Sequence, residues 1–153
     1  MNKLFLIVAM ACSVSLVYSQ PVYPYKDIKL ENAKDYIATE SMALSAATYL
    51  LTTPFAEVDA GRSGAFQFLT KWMGGAKQYH FYMEGIATKV SEDQNLLSLY
   101  IASIAKYILE NKNPPPVALE VELGASKILL AYCDNPKNNF KLKKKYRKIL
   151  EIN

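Results

Sequence analysis

Three consecutive prolines, Pro114-Pro115-Pro116, divide this chain into two helical runs. A proline fixes its own φ and pushes the preceding residue out of helical space, so no helix crosses that point. The remaining punctuation is of the same kind. Pro54 closes one segment of helical apolar periodicity and Gly74-Gly75 closes another. Strand signal is slight. The pattern predicts an all-α fold, a compact four- to five-helix bundle of helical hairpins. A repeat-like stack of hairpins is the second architecture, but a tetratricopeptide period of about 34 residues does not recur in the Trp, Gly and Tyr positions.

At about 100° per residue, a first helix is expected from about Asn32 to Leu51, with Ala33, Tyr36, Ile37, Ala43, Leu44, Ala47, Leu50 and Leu51 on one arc. A second starts at Asp59 as N-cap and runs to about Met73, presenting Ala65, Phe66, Leu69, Trp72 and Met73. Ala76 to Met83 alternates, Tyr79, Phe81 and Met83 against Gln78, His80 and Tyr82, and reads as an extended connector packed on helices. Ser91 and Gln94 have capping-box spacing, which places a third helix from Glu92 to about Glu110. Its wide arc of Leu96, Leu97, Tyr100, Ile101, Ile104, Tyr107 and Ile108 predicts a central position. A fourth helix follows the prolines to about Asp134, with Val117, Val121, Gly124, Ala125, Ile128 and Tyr132 buried and Glu120, Lys127 and Asp134 in solvent. Gly124 costs a helix about 1 kcal/mol relative to Ala, so a neighbouring helix is expected to pass close to it. A short final helix spans about Phe140 to Glu151.

From Phe66 to Lys112, with Lys71-Trp72-Met73, Leu97-Ser98-Leu99-Tyr100 and the run from Ala105 to Asn111, the chain resembles uncharacterised small secreted all-helical proteins of Bacteroidota-type bacteria. The resemblance rests on apolar helix positions and implies no active-site residue.

The N-terminus reads as an export signal. Lys3 precedes a run from Leu4 to Val17 that is apolar apart from Cys12, Ser13 and Ser15, and Val17-Tyr18-Ser19 sets up cleavage after Ser19. The run is too short to span a bilayer, which needs about 20 apolar residues. A competing route lipidates Cys12, since Ala9-Met10-Ala11-Cys12 loosely follows a lipoprotein box. The organisation is therefore a signal peptide over 1–19, a helical domain over 20–136 and a basic amphipathic segment over 137–153 that docks on the domain, in a protein secreted or periplasmic after processing. Cys133 is then the sole thiol of the mature chain, which excludes an internal disulfide, and its apolar setting reads as a small buried hydrophobe.

Little catalytic chemistry is legible. One histidine, one mature cysteine and no Asp-rich loop argue against a metal site, and no cofactor motif is present. Gly61-Arg62-Ser63-Gly64 at a helix start has the donors to hold an anion, but without a preceding strand or the lysine of a phosphate loop it reads as simple turn chemistry. Glu40 projects between Ala47 and Leu51 on the apolar arc, so it must be hydrogen-bonded, paired or protonated. It either lies at the open end of the bundle or bonds a Tyr or Trp donor, with Arg62 too far along the hairpin and Lys71, Trp72 and the His80 segment nearer. The first functional reading is a non-enzymatic interaction or envelope module, a monomer or weak homo-oligomer, that receives a protein, peptide or glycan partner on Trp72, Tyr79, His80 and Tyr82. The second is a hydrolase or lyase using Glu40 with His80 or a tyrosine as catalytic acid and base. The third rests on charge. Residues 137–153 carry seven basic residues and one acid, a net +6, in a chain of net +4. Lys141, Lys143, Lys144, Lys145, Arg147 and Lys148 are thus candidates for contact with an anionic membrane surface, whereas an extracytoplasmic address argues against nucleic acid.

Overall fold

The computed structural model describes residues 25–151, so the export segment lies outside the described residues. Seven α-helices follow a 3-10 turn at Tyr25–Asp27: α1 (Ala33–Ala38), α2 (Glu40–Thr52), α3 (Ala60–Gly75), α4 (Ile86–Val90), α5 (Gln94–Glu110), α6 (Ala118–Asp134) and α7 (Lys144–Leu150). A second 3-10 turn at Pro136–Asn138 precedes α7, and no strand occurs among the described residues. The expected all-α bundle is what forms.

The long helix α5 is central. It packs on α2 to one side and on α6 to the other, while α2 also packs on α3. Leu96, Leu99, Tyr100, Ala102, Ser103, Ile104, Ala105, Ile108 and Leu109 are all buried on it. Burial thus wraps most of its circumference, as a wide apolar arc requires. The centre of burial is shifted from the expected arc, because Leu97, Ile101 and Tyr107 are only partly covered. The smaller α4 bridges α5 and α7, and α7 lies against α4 and α6.

Local chemistry sets the element ends. Asp59 caps α3 by accepting from the backbone N–H groups of Gly61 and Arg62 at 2.8 and 3.1 Å. That carboxylate fills the donors that were candidates for an external anion, so the Gly61–Gly64 turn is structural. The expected first helix is broken at Thr39, whose hydroxyl donates to the Asp35 carbonyl at 2.7 Å. The backbone leaves helical geometry at that residue (φ −102°, ψ 9°). The Ser91–Gln94 capping box does not form. Asp93 is the N-cap of α5 and accepts from Leu96 N–H at 3.2 Å, while Ser91 ends α4 and donates to Thr88 O at 2.7 Å. Val117, placed by periodicity in the buried stripe of α6, is 60% exposed because it lies at the N-cap, before helical geometry begins. The final helix is shorter than expected, since Asn139 adopts a left-handed conformation (φ 52°) and residues 139–143 run irregularly up to α7.

Gly124 marks the close approach of α5. A Cβ built on it would overlap the ring of Tyr107. Gly124→Ala should therefore destabilise the protein despite the helix-propensity gain of about 1 kcal/mol. Combining it with Tyr107→Ala should turn that loss into a relative gain. Thermal melts of the double-mutant cycle check this, and a stabilising single Gly124→Ala would show that α5 and α6 are not in contact there.

Candidate functional site

The aromatic connector after α3 is organised by Trp72. This residue, expected on an interaction surface, is fully buried at 0% exposure, and its indole N–H donates to the Tyr36 carbonyl at 2.9 Å. The correction has a plain cause: Trp72 lies on the inner arc of α3 with Ala65, Phe68 and Leu69, which are also buried. Tyr79 and Phe81 fold back onto it, with ring centroids 5.9 and 6.1 Å from the indole. The alternation read in the connector places Tyr79 and Phe81 correctly. It fails for Met83, which is 39% exposed, because the chain turns there toward α4.

Behind the connector, Glu40 finds two partners. The Tyr79 hydroxyl donates to its Oε2 at 2.5 Å, and the Lys112 ammonium donates to its Oε1. The first is a tyrosine donor, one of the alternatives expected for Glu40, and it comes from the connector that carries His80. Lys112, 72 residues away in sequence, is a partner that periodicity cannot reveal. Arg62 is indeed elsewhere. Lys112 and then Tyr79 hold the Glu40 carboxyl below its usual pKa, while burial, followed by the hydrogen bond to the Glu40 carboxylate, pushes the Tyr79 phenol up to about 12. Each group is thereby fixed in one protonation state near neutral pH: carboxylate for Glu40, phenol for Tyr79.

The depressed carboxyl makes this node a source of pH-dependent stability. Because the folded state binds the proton less tightly than the unfolded state, the contribution is present above the ordinary carboxylate range and is lost as the pH falls through and below it. Glu40→Gln should lower stability by about 1 kcal/mol at pH 7, the carboxylate being a quarter exposed and partly screened. The difference from the wild type should shrink in melts at pH 3. A gap that is unchanged at pH 3 would show that the node does not act through its charge.

In front of the connector lies an open groove of about 370 Å³, lined by Thr70, Met73, Gly74, Tyr79, His80, Phe81, Met83 and Ile101. Its walls are sulfur, aromatic and aliphatic surface. Both of its side-chain hydroxyls are already engaged: Thr70 Oγ1 donates to Phe66 O at 2.9 Å, and the Tyr79 hydroxyl is bonded to Glu40. His80 is exposed at the rim, with its ring edge-on to Tyr82 at 4.4 Å. Of the four expected surface residues, Tyr79, His80 and half-buried Tyr82 therefore sit at or beside this groove, while Trp72 lies beneath it. Met73, Met83 and Ile101 are lining residues that a search for polar chemistry passes over.

A larger crevice of about 600 Å³ runs between Phe55–Glu57, the start of α5 and residues 139–143. Two of its three acids, Glu92 and Asp93, are occupied by the chain itself. Lys143 Nζ lies 2.9 Å from Asp93 Oδ2, and on the same seam Lys145 Nζ lies 2.9 Å from Glu92 Oε2. It is the seam along which the C-terminal segment is held. Phe55 and Phe140 meet edge to face at 5.1 Å in its wall.

Cys133 is partly buried on α6, and burial together with neighbouring Asp134 pushes its thiol up to about 12. A thiol held protonated in this way is a weak nucleophile. Among the described residues no group of three or more His, Cys, Asp or Glu side chains could hold a metal ion, and no helix is long and apolar enough to cross a membrane. Searches of protein-family models, curated proteins and solved structures match nothing to this chain.

Proposed function

We propose that this protein is an exported, non-enzymatic binding module that receives an apolar segment of a peptide or protein partner in the groove formed by Met73, Tyr79, Phe81, Met83 and Ile101. The observation that carries this reading is the pairing of open apolar walls with hydroxyls that are already bonded within the chain. Methionine-rich surfaces repack around varied apolar side chains, and a groove of this kind has little with which to grip the hydroxyls of a glycan. His80 is placed to hydrogen-bond the backbone of the occupant. The Glu40–Tyr79–Lys112 node serves as a brace, tying the connector to the start of α2 and the end of α5.

The hydrolase or lyase reading draws less support. General acid–base work favours groups whose pKa lies near the operating pH, whereas Glu40 is held anionic and the Tyr79 phenol is pushed up to about 12. His80 stands against Tyr82 at the rim. Export rests on the sequence from Lys3 to Ser19, and the resemblance of Phe66 to Lys112 to small secreted helical proteins agrees with it. N-terminal sequencing of the processed protein should begin at Gln20; a lipidated Cys12 would replace that with the lipoprotein route.

The binding reading is tested with peptides selected from a random library against the mature chain. Selected sequences should carry bulky apolar residues, and Met83→Asp or His80→Ala should weaken them by about tenfold or more with no change in melting temperature, since both side chains are exposed. Peptides that bind both variants as tightly as the wild type would sink this assignment.

A further inference from the structure

The way α7 is seated sorts the cations of the C-terminal segment into two sets. Tyr146 and Leu150 are buried at 2% exposure each and face the bundle. At about 100° per residue, Lys145 and Arg147 then project to opposite flanks. Lys145 pairs with Glu92, and Arg147 pairs with Asp134 and with Glu151. Lys143, just before the helix, pairs with Asp93. Lys144 and Lys148 fall diametrically opposite the buried face. They and Lys141 are exposed and take part in no ion pair among the described residues.

We propose that Lys141, Lys144 and Lys148 form a contact ridge for an anionic lipid bilayer. Charge complementarity is the basis of the proposal: the pairs on the flanks are neutralised by the bundle's own acids, which leaves an outward ridge of one sign. Glu57 shares the crevice beside Lys141, so Lys144 and Lys148 carry most of the contact. A lipid surface fits better than a polynucleotide, since the ring of Tyr146 is buried beneath the ridge and no exposed aromatic lies between the lysines to stack on bases. The neighbouring loop adds an apolar element. Phe55 N–H donates to Asn138 O at 2.7 Å, tying that loop to the base of the segment, and Val58 on it is 98% exposed. Because the apolar face of α7 stays in the bundle, contact is superficial and electrostatic, unlike an amphipathic helix that buries that face in the acyl boundary.

Two double variants that change net charge equally provide the test. The mature chain is sedimented with vesicles of phosphatidylcholine, alone or mixed with phosphatidylglycerol. It should bind the mixed vesicles at low salt and be released at high salt, where screening contracts from about 10 Å at 0.1 M to about 3 Å at 1 M. At roughly fivefold in affinity for each lysine, Lys144→Ala with Lys148→Ala should weaken binding by about 25-fold. Lys143→Ala with Lys145→Ala should change it by less than about threefold. Equal losses in the two variants, or no loss in the outward pair, would overturn the proposal. So would tighter binding of a short DNA duplex than of the mixed vesicles at the same salt, or undiminished binding to pure phosphatidylcholine.

Discussion

Trp72→Ala should be among the most damaging single substitutions in this protein, lowering stability by about 3–5 kcal/mol, the range for deleting a buried aromatic side chain. Three losses coincide. The indole is fully buried, so its removal leaves a cavity in the wall between α3 and the connector. The Tyr36 carbonyl loses its donor beside the break at Thr39. Tyr79 and Phe81 lose the ring on which they rest. Stability of a domain this size is about 5–15 kcal/mol in total, so the melting temperature should fall by on the order of 10 °C or more. Trp72→Phe retains much of the volume and removes the donor, and should fall between. A Trp72→Ala protein that melts within about 2 °C of the wild type would mean the connector does not rest on α3.

Arg62 should rank beside it, for an electrostatic reason. Its side chain is 6% exposed and has no carboxylate partner among the ion pairs of the described residues. The guanidinium instead closes the C-terminal end of α2. Nη2 donates to Leu50 O at 2.9 Å, and Nη1 donates to Thr53 O at 3.1 Å and Thr53 Oγ1 at 2.8 Å. A cation is favoured at that end, where unpaired carbonyls concentrate negative potential. The carbon Cζ also sits 5.5 Å from the centroid of the Phe55 ring. Tyr132 donates to the same Thr53 carbonyl at 3.0 Å, which brings α6 into the junction. Hydrogen bonds to a charged donor contribute about 1.5–3 kcal/mol, so Arg62→Met should cost about 3 kcal/mol by chemical denaturation. Arg62→Lys should recover less than half, because an ammonium cannot serve two carbonyls with a planar fork. A lysine variant as stable as the wild type would show that charge alone matters at this junction.

These two residues also show where sequence reasoning reaches and where it stops. Helix ends governed by neighbours in the chain were largely legible: Asp59 caps α3 and the proline triplet separates α5 from α6, whereas Gly74-Gly75, expected to stop α3 after Met73, lie inside it and Ala76 is its C-cap. The central place of α5 followed from the width of its apolar arc, and Gly124 signalled a close neighbour because a glycine in a buried stripe lacks a local reason. The Thr39 break was hidden, since the apolar arc continues through it. The five residues of α4 are too few for a 3.6-residue period to register. Arg62 reads as a turn residue until the end of α2 is folded onto it. At the candidate site, the polarity of Glu40 on an apolar arc correctly demanded a partner, and the connector supplied Tyr79. Lys112 required the tertiary fold, which sets the end of α5 beside the start of α2. Trp72 was legible twice, and its place on the buried arc of α3 prevails over its use as surface. The groove itself is made of Met73, Met83 and Ile101, residues whose types carry no chemical signature in sequence.

The assignment of the groove as the binding surface is tested most directly by the methyl resonances of the methionines. Residues 20–153 contain three, Met42, Met73 and Met83. Two line the groove, and the third, half-buried on α2, is not among its lining residues. With ¹³C-methyl methionine and a peptide selected against the mature chain, the Met73 and Met83 signals should shift or broaden along the titration while Met42 stays in place. Saturable binding that leaves Met73 and Met83 unmoved would contradict the assignment and place the partner surface elsewhere on the bundle.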